Sequence, residues 1–198
     1  MATKSLITAE EFAQMSTAEN EDYELVDGEL IPLSSATALH NIIRGKTEQL
    51  VRNYFDKNPI GGAVSETDCR INSNTVRRPD LSIFIGDAWQ HLDLNRIPLP
   101  FAPTIAVEVL SPSEHAIEVS RKVRDYLGAG SKEVWLLDHE NGELLVRTKA
   151  GIRLLHGSDR LDSPLLPGFA VNVSDLLTGP WDLNQLNLQA TPEPGVKG

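Results

Sequence analysis

The chain has 198 residues, with 40% hydrophobic and 23% charged side chains, which is enough for one domain with a sizeable core; its single cysteine, Cys69, excludes an internal disulfide and a cysteine-based zinc site. It contains neither an apolar run near ~18 residues nor a basic N-terminal segment followed by an apolar core, so we expect no membrane span, no secretory signal and a cytoplasmic protein. The formal net charge of −10 weighs against general nucleic-acid binding, because a DNA-binding surface is normally basic.

The first part of the chain predicts two helices, a hairpin and a strand. Thr8 and Glu11 form a capping-box pattern, and Asp27-Gly28 between two apolar runs is a strong hairpin signal. The longest helical pattern that follows is stopped by Asn58-Pro59. In chain order we expect a helix over residues 8–16, a polar loop at 17–22, a hairpin over 23–33, a helix over 38–57 and a strand over 62–72.

Two later apolar runs each carry one carboxylate where a strand side chain is normally buried. Asp80 opens the run 81–85, and Glu108 interrupts the run 104–110. Runs that are apolar on both faces lie inside a sheet, where a carboxylate is costly unless it is paired or binds a metal. If the two runs are neighbouring antiparallel strands, Asp80 and Glu108 share one end of the sheet. Oxygen ligands of this kind suit Mg²⁺ or Mn²⁺.

The segment after the second run predicts a helix that carries a lysine toward this pair. Ser111 as N-cap, Pro112 at the first helical position and Glu114 closing a capping box indicate its start. Gly130 is suited to end it. At 100° per residue, Lys122 lies roughly 90° from the centre of the apolar stripe, which makes it the charged side chain nearest the buried face.

The remainder of the chain predicts a β-meander. A buried strand over 133–138 is followed by the turn signals Asn141-Gly142 and Ala150-Gly151, which separate two further strands. Residues 161–177 hold one more apolar patch. We therefore expect one α/β domain over 1–184, with a mixed curved sheet flanked by helices and a C-terminal meander, followed by a mobile tail over 185–198.

An ordered set of motifs resembles the Uma2 family, formerly a domain of unknown function. In chain order these are residues 23–30, His40, Pro79-Asp80, the segment 108–113, Lys122 with Tyr126, and residues 133–138. The resemblance covers roughly residues 5–178, nearly the whole chain. It implies a restriction-endonuclease-like PD-(D/E)xK fold.

The resemblance also implies which residues carry the chemistry. The PD-(D/E)xK pattern usually places its lysine two residues after the second acid, but that position is Leu110 here. The resemblance implies that Lys122, on the following helix, takes its place. Asp80, Glu108 and Lys122 would then be catalytic, and Asp80, Glu108 and the backbone carbonyl of Val109 would hold Mg²⁺ or Mn²⁺.

Two functions are expected from these residues. The first is Mg²⁺-dependent endonucleolytic hydrolysis of DNA, in which Lys122 stabilises the developing charge or orients the attacking water. The alternative is a non-catalytic or weakly active oligomeric binding or scaffold protein that retains the nuclease fold, favoured by the acidic composition and the displaced lysine. A basic groove around the two acids favours the first hypothesis, and an acidic groove favours the second. The expected partners are DNA and a second copy of the chain, as a homodimer.

Each candidate residue also has a structural interpretation. For Glu108 the alternative to metal binding is an ion pair with Arg77 or Arg78. For Lys122 the alternative is a solvated side chain on the helix surface. The accessory candidates are Glu24 and His40, and the candidate nucleic-acid contacts are Arg77, Arg78 and Arg121.

Overall fold

The structure, a computed structural model, describes residues 6–15, 23–112 and 114–179. Its elements in chain order are α1 (Ala9–Gln14), β1 (Tyr23–Val26), β2 (Glu29–Pro32), α2 (Ala38–Lys57), β3 (Gly61–Ser65), β4 (Cys69–Asn72), β5 (Thr75–Arg77), β6 (Leu81–Ile85), α3 (Asp87–Gln90), β7 (Ile105–Val109), α4 (Ala116–Ala129), β8 (Glu133–Asp138), β9 (Glu143–Arg147), β10 (Ile152–His156), β11 (Arg160–Asp162), β12 (Ala170–Asn172) and α5 (Val173–Leu177). None of the helices in these ranges is both long and apolar enough to cross a membrane. The loop predicted at 17–22 and the tail predicted at 185–198 lie outside the described residues.

A six-stranded sheet with the order β10-β9-β8-β7-β6-β3 forms the centre of the fold. β7 and β8 run parallel and are joined through α4, whereas the other neighbouring pairs in this sheet are antiparallel. A smaller sheet has the order β2-β1-β5-β4, and β11 pairs with β12. The mixed sheet flanked by helices, with β8, β9 and β10 as a meander, confirms the predicted α/β fold.

The two faces of the central sheet are covered by different helices. Val107 and Val109 of β7 point into the larger core, which α2 and α5 cover. Ala106 points to the opposite face and packs with Tyr126 of α4. Because successive side chains of a strand point to opposite faces, Glu108 lies on the α4 face, as the alternation in the sequence predicts. The register of β7 thereby aims its one carboxylate at α4.

The single strand predicted over residues 62–72 is wrong. The chain instead forms β3 in the central sheet and β4 in the smaller sheet. Between them Glu66 has a φ of 47°, in the left-handed region that non-glycine residues seldom adopt. The Glu66 amide donates to the Asp80 carbonyl at 3.3 Å, so this turn lies beside the start of β6.

The predicted start of the lysine-bearing helix is also wrong. α4 begins at Ala116, with His115 as its N-cap. Ser111 and Glu114 do contact each other, but they close a turn ahead of the helix, in which the Ser111 amide donates to Glu114 Oε2 at 3.0 Å. The helix ends at Gly130, whose φ of 113° is readily adopted only by glycine.

Candidate active site

Asp80 and Glu108 meet at one end of the central sheet. β6 and β7 are antiparallel with Leu81 opposite Val107, so the residue before Leu81 lies beside the residue after Val107. This register confirms the predicted placement of the two acids. The proximity of the two residues follows from the pairing of β6 with β7 and does not require a contact between their side chains.

The Asp80 carboxylate is held from two elements. His40, in the first turn of α2, places its Nε2 atom 2.9 Å from Asp80 Oδ1. The backbone N–H of Val109, at the end of β7, donates to Asp80 Oδ2 at 2.6 Å. Both oxygens therefore have a hydrogen-bonding partner, and the carboxylate has one orientation. His40, an accessory candidate from the sequence, is thus in direct contact with the site.

The Glu108 carboxylate is buried and is held from α4. The Lys122 ammonium donates to Glu108 Oε2 at 2.9 Å, and the Tyr126 hydroxyl donates to Glu108 Oε1 at 2.6 Å. Lys122 and Tyr126 are four residues apart, so they lie on the same face of the helix. Lys122 also donates to Glu114 Oε1 at 3.3 Å. The structure thus pairs Glu108 with Lys122 and Tyr126, rather than with Arg77 or Arg78.

Burial and neighbouring charges perturb the ionisation of this group of side chains. Burial raises the pKa of the Glu108 carboxyl from 4.5 to about 7; Lys122 opposes that rise and the charge of Asp80 adds to it. Burial acts to lower the pKa of Lys122, but its attraction to Glu108 and to other nearby carboxylates raises this pKa above its ordinary value. Lys122 is therefore a cation. Any additional positive charge beside Glu108 would favour its ionised form.

The two acids and the lysine line a pocket of about 110 Å³, which the segment before α2 and the turn before α4 complete. Two of the charges that line it are neutralised by residues outside it, because Glu66 pairs with Arg44 and Arg78 pairs with Asp68. The other three carboxylates face one ammonium group, which leaves an excess of two negative charges when all three carboxylates are ionised and histidine is neutral. Those residues are Asp80, Glu108 and Glu114, with Lys122.

This donor set fits a divalent cation that retains part of its hydration shell. The charge excess equals the charge of one Mg²⁺ or Mn²⁺ ion, and carboxylate oxygens are ligands that both ions prefer. In the described residues, no three His, Cys, Asp or Glu side chains are grouped so that they could hold a metal ion. The side chains that could hold such an ion are the carboxylates of Asp80 and Glu108, and other ligands would come from backbone, water or substrate.

The arginines expected to contact nucleic acid are engaged with carboxylates. Arg77 is only 5% exposed and bonds to Glu24 and Asp125. The Arg78 side chain donates to Asp68 at 2.8 Å, and Arg121 pairs with Asp27 at the surface. The burial of Arg77 does not favour a DNA contact. Glu24, the other accessory candidate, does not reach the pocket of Asp80 but holds the segment that leads to it.

Three contacts of the site were missed in the sequence. The sequence gives Tyr126 only as part of the family resemblance, Glu114 only as part of a helix cap, and Asp125 in no role. A usable signal for Tyr126 was its spacing of four from Lys122, which puts both on one helical face. No such signal exists for Asp125, because its partner Arg77 lies 48 residues away in the chain.

The chain is similar to known proteins in both sequence and fold. A model of the Uma2 family, described as "Putative restriction endonuclease", matches residues 9–174. A crystal structure of "a putative nuclease belonging to DUF820" from Anabaena variabilis ATCC 29413 superposes with a TM-score of 0.75 at 21% identity, covering 86% of this chain and 97% of that chain. "Uncharacterized protein slr1290" from Synechocystis sp. is 26% identical over an alignment of 166 residues that covers 75% of this chain and 83% of that protein. The family match spans most of the chain, and the chain therefore belongs to the Uma2 family.

Proposed function

We propose that the protein is a divalent-metal-dependent endonuclease that hydrolyses phosphodiester bonds of DNA, with Mg²⁺ or Mn²⁺ as its cofactor. The observation that carries this proposal is the arrangement of Asp80, Glu108 and Lys122 around one small pocket, with the ammonium 2.9 Å from the Glu108 carboxylate. Membership of a family described as "Putative restriction endonuclease" supports the same reaction class.

Asp80 and Glu108 are the side chains that would hold the cation. Each of their oxygens has one hydrogen-bonding partner and, because a carboxylate oxygen has two lone pairs, keeps one for a metal. In a strand, the N–H and C=O of one residue point to the same side, and the Val109 N–H points at Asp80. The Val109 carbonyl therefore points to the side of β7 on which Asp80 lies, just before the first residue of β6. This orientation supports the Val109 carbonyl as a third ligand.

The side chains around the cation have complementary tasks in hydrolysis. The bound cation would polarise a phosphoryl oxygen and lower the pKa of an attacking water. Lys122 would donate to a non-bridging phosphate oxygen or orient that water, which lowers the energy of the negatively charged transition state. Tyr126 and His40 would keep Glu108 and Asp80 in the orientations that the cation requires.

The size and charge of the pocket favour a phosphate group that enters together with the cation. A volume of about 110 Å³ is well below the roughly 300 Å³ of a small-molecule pocket, so a base and sugar would lie outside it, with space in the adjoining cavity of about 190 Å³ that shares Glu114 and Lys122. A phosphate alone would meet an excess of negative charge. The pocket thus suits a backbone phosphate of a polynucleotide, with the cation neutralising the carboxylates.

A second candidate function is a binding or scaffold protein, assembled as a homodimer, that retains this fold without robust cleavage. The observation that favours it is the pairing of Arg78 and Arg121 with carboxylates, together with a net charge of −10. Both features reduce the attraction of the surface for a nucleic acid. In that case the pocket would bind the ion without turnover.

Cleavage assays with matched variants separate the two functions. Supercoiled plasmid, linear duplex and single-stranded DNA would be incubated with Mg²⁺, with Mn²⁺ or with a chelator. We expect cleavage that requires the cation and is abolished in Asp80→Asn and Glu108→Gln. Glu48→Gln is the control, because it makes the same charge change on α2, where Glu48 pairs with Arg52. Equal cleavage by all variants would indicate a contaminating nuclease, and no cleavage of any substrate by the wild type would favour the scaffold.

A further inference from the structure

A buried charge network connects three elements next to the candidate site. Arg77 Nη1 donates to Glu24 Oε2 of β1 at 2.8 Å. Its Nε and Nη2 atoms donate to Asp125 Oδ2 of α4 at 2.9 and 2.6 Å. Arg77 itself is the last residue of β5. One guanidinium group therefore joins two strands of the smaller sheet to the helix that carries Lys122.

The strand end of this network lies directly before Asp80. The second oxygen of Glu24 accepts the backbone N–H of Arg78 at 2.8 Å, so one carboxylate holds both the side chain of Arg77 and the backbone after it. Only Pro79 then separates this anchored segment from Asp80. Glu24 and Arg77 are both almost completely buried, and a pair of this kind has few alternative positions.

The helix end of the network lies beside the face of α4 that contacts Glu108. Asp125 follows Lys122 by three residues, so these two side chains are neighbours on the helix surface, and Tyr126 lies on the other side of Lys122. Lys122 and Tyr126 each contact one oxygen of Glu108, and Asp125 contacts Arg77. The same turn of helix is therefore tied to β7 and to the segment before Asp80.

We propose that Arg77 is a positioning residue that docks α4 against the strand segment leading to Asp80 and thereby holds the Lys122 ammonium at Glu108. A lysine on the same strand as the acid would be positioned by the sheet. A lysine on a helix is only as well placed as the helix, so its position depends on the apolar packing of α4 against the sheet and on the side-chain bonds that fix how α4 is docked. The catalytic consequence rests on the proposed function, whereas the docking role does not.

Asp125→Asn is the variant that tests this role most cleanly. Its side chain is 23% exposed, so it can lose its charge without leaving a fully buried gap, whereas replacing Arg77 would leave two carboxylates unpaired. Asp162→Asn is the matched control, because it makes the same change in an Arg–Asp pair with Arg153 at the surface. Asp125→Glu restores the charge and is the rescue variant.

The first measurement needs no enzymatic activity. Each protein would be treated with acetic anhydride, and acetylation of Lys122 would be followed by mass spectrometry, with Lys46 as the internal reference for general opening of the fold. We expect Lys122 to react several-fold faster, relative to Lys46, in Asp125→Asn, at the wild-type rate in Asp162→Asn, and at an intermediate rate in Asp125→Glu. An unchanged Lys122 rate in Asp125→Asn would overturn the proposal.

The second measurement tests whether the network acts through the lysine during cleavage. We expect Asp125→Asn to lower kcat by about tenfold with little change in KM, and to have no further effect in a Lys122→Ala background, because two residues that act through one group are not additive. Equal effects of Asp125→Asn in both backgrounds would overturn the positioning role. If the wild type cleaves nothing, the proposed function fails, while the acetylation rates still decide whether the network holds Lys122.

Discussion

The strand side and the helix side of the candidate site are held by different kinds of bonds. On the strand side, Asp80 and Glu108 are placed by the register of β6 and β7, which a ladder of backbone hydrogen bonds and a buried core maintain. On the helix side, Lys122 and Tyr126 are placed by side-chain bonds to Glu108 and by the anchoring of α4. The strand side is thus maintained by backbone pairing, whereas the helix side depends on side-chain contacts, namely the apolar cluster between α4 and the sheet and the bonds to Glu108. Single substitutions should therefore uncouple the two sides.

The largest effect is expected from Lys122→Ala. Loss of one well-placed donor to the transition state should lower the cleavage rate by about 100-fold or more, while the strand side remains intact. Leu110 lies on the same strand face as Glu108 and packs against the α4 cluster, so Leu110→Lys in the Lys122→Ala background should restore part of the rate. Rates under single-turnover conditions measure both effects. Wild-type cleavage by Lys122→Ala would remove this lysine from the mechanism.

Metal binding is expected to depend on the strand side. Saturating Mn²⁺ or Mg²⁺ should raise the midpoint of thermal unfolding, since an ion at a hundredfold its Kd adds about 2.7 kcal/mol to the free energy of unfolding. The increase should vanish in Asp80→Asn and Glu108→Gln and persist in Lys122→Ala. Scanning calorimetry with and without the ion measures it. An equal increase in all variants would place the ion elsewhere.

Val107→Ala tests whether the core maintains the strand side. Val107 is 1% exposed on the face opposite Glu108, so its truncation should lower the free energy of unfolding by about 1–3 kcal/mol. The metal-induced rise in the unfolding midpoint should remain, because both carboxylates stay in register. Urea titrations monitored by circular dichroism give the stability. Unchanged stability would show that the Val107 side chain does not pack in the core.

Tyr126→Phe tests the helix side without removing a charge. The substitution leaves Glu108 Oε1 without its donor at 2.6 Å, and an unsatisfied buried acceptor should cost about 1–2 kcal/mol. Tyr54→Phe is the matched control, because its hydroxyl donates to the Pro167 carbonyl at a more exposed position and its loss should cost less. Equal destabilisation by the two variants would mean that the Tyr126–Glu108 hydrogen bond contributes no more to stability than the exposed Tyr54–Pro167 hydrogen bond.

The smallest effect is expected from Arg121→Ala, which removes a residue adjacent to Lys122 on the outer side of α4. Its pair with Asp27 is exposed, and exposed ion pairs contribute about 0–1 kcal/mol. Stability should therefore change little. A fall in DNA affinity measured by fluorescence anisotropy, at unchanged stability, would nevertheless identify Arg121 as a phosphate contact.

Local patterns predicted most of the elements and the strand side of the site. Asp27-Gly28 predicted the hairpin of β1 and β2, where both residues have positive φ. The run around Glu108 predicted a buried strand with Val107 and Val109 opposite the acid. These predictions hold because turn chemistry and side-chain alternation depend on neighbouring residues only. The prediction of one strand over residues 62–72 was wrong because the two halves of this segment belong to different sheets. The residues of the segment itself do not specify the sheet in which each half pairs.

The sequence by itself indicated the two acids and the lysine of the candidate site, since Asp80 and Glu108 each open or interrupt an apolar run and Lys122 borders the buried face of its helix. Only the tertiary structure decided how they are held. The partners of Asp80 and Glu108, and the link from Arg77 to Asp125, join residues between 14 and 48 positions apart. A one-dimensional pattern carries information over a turn of helix or a pair of strand residues. The packing of α4 and α2 against the strand ends depends instead on contacts between elements that are far apart in the chain.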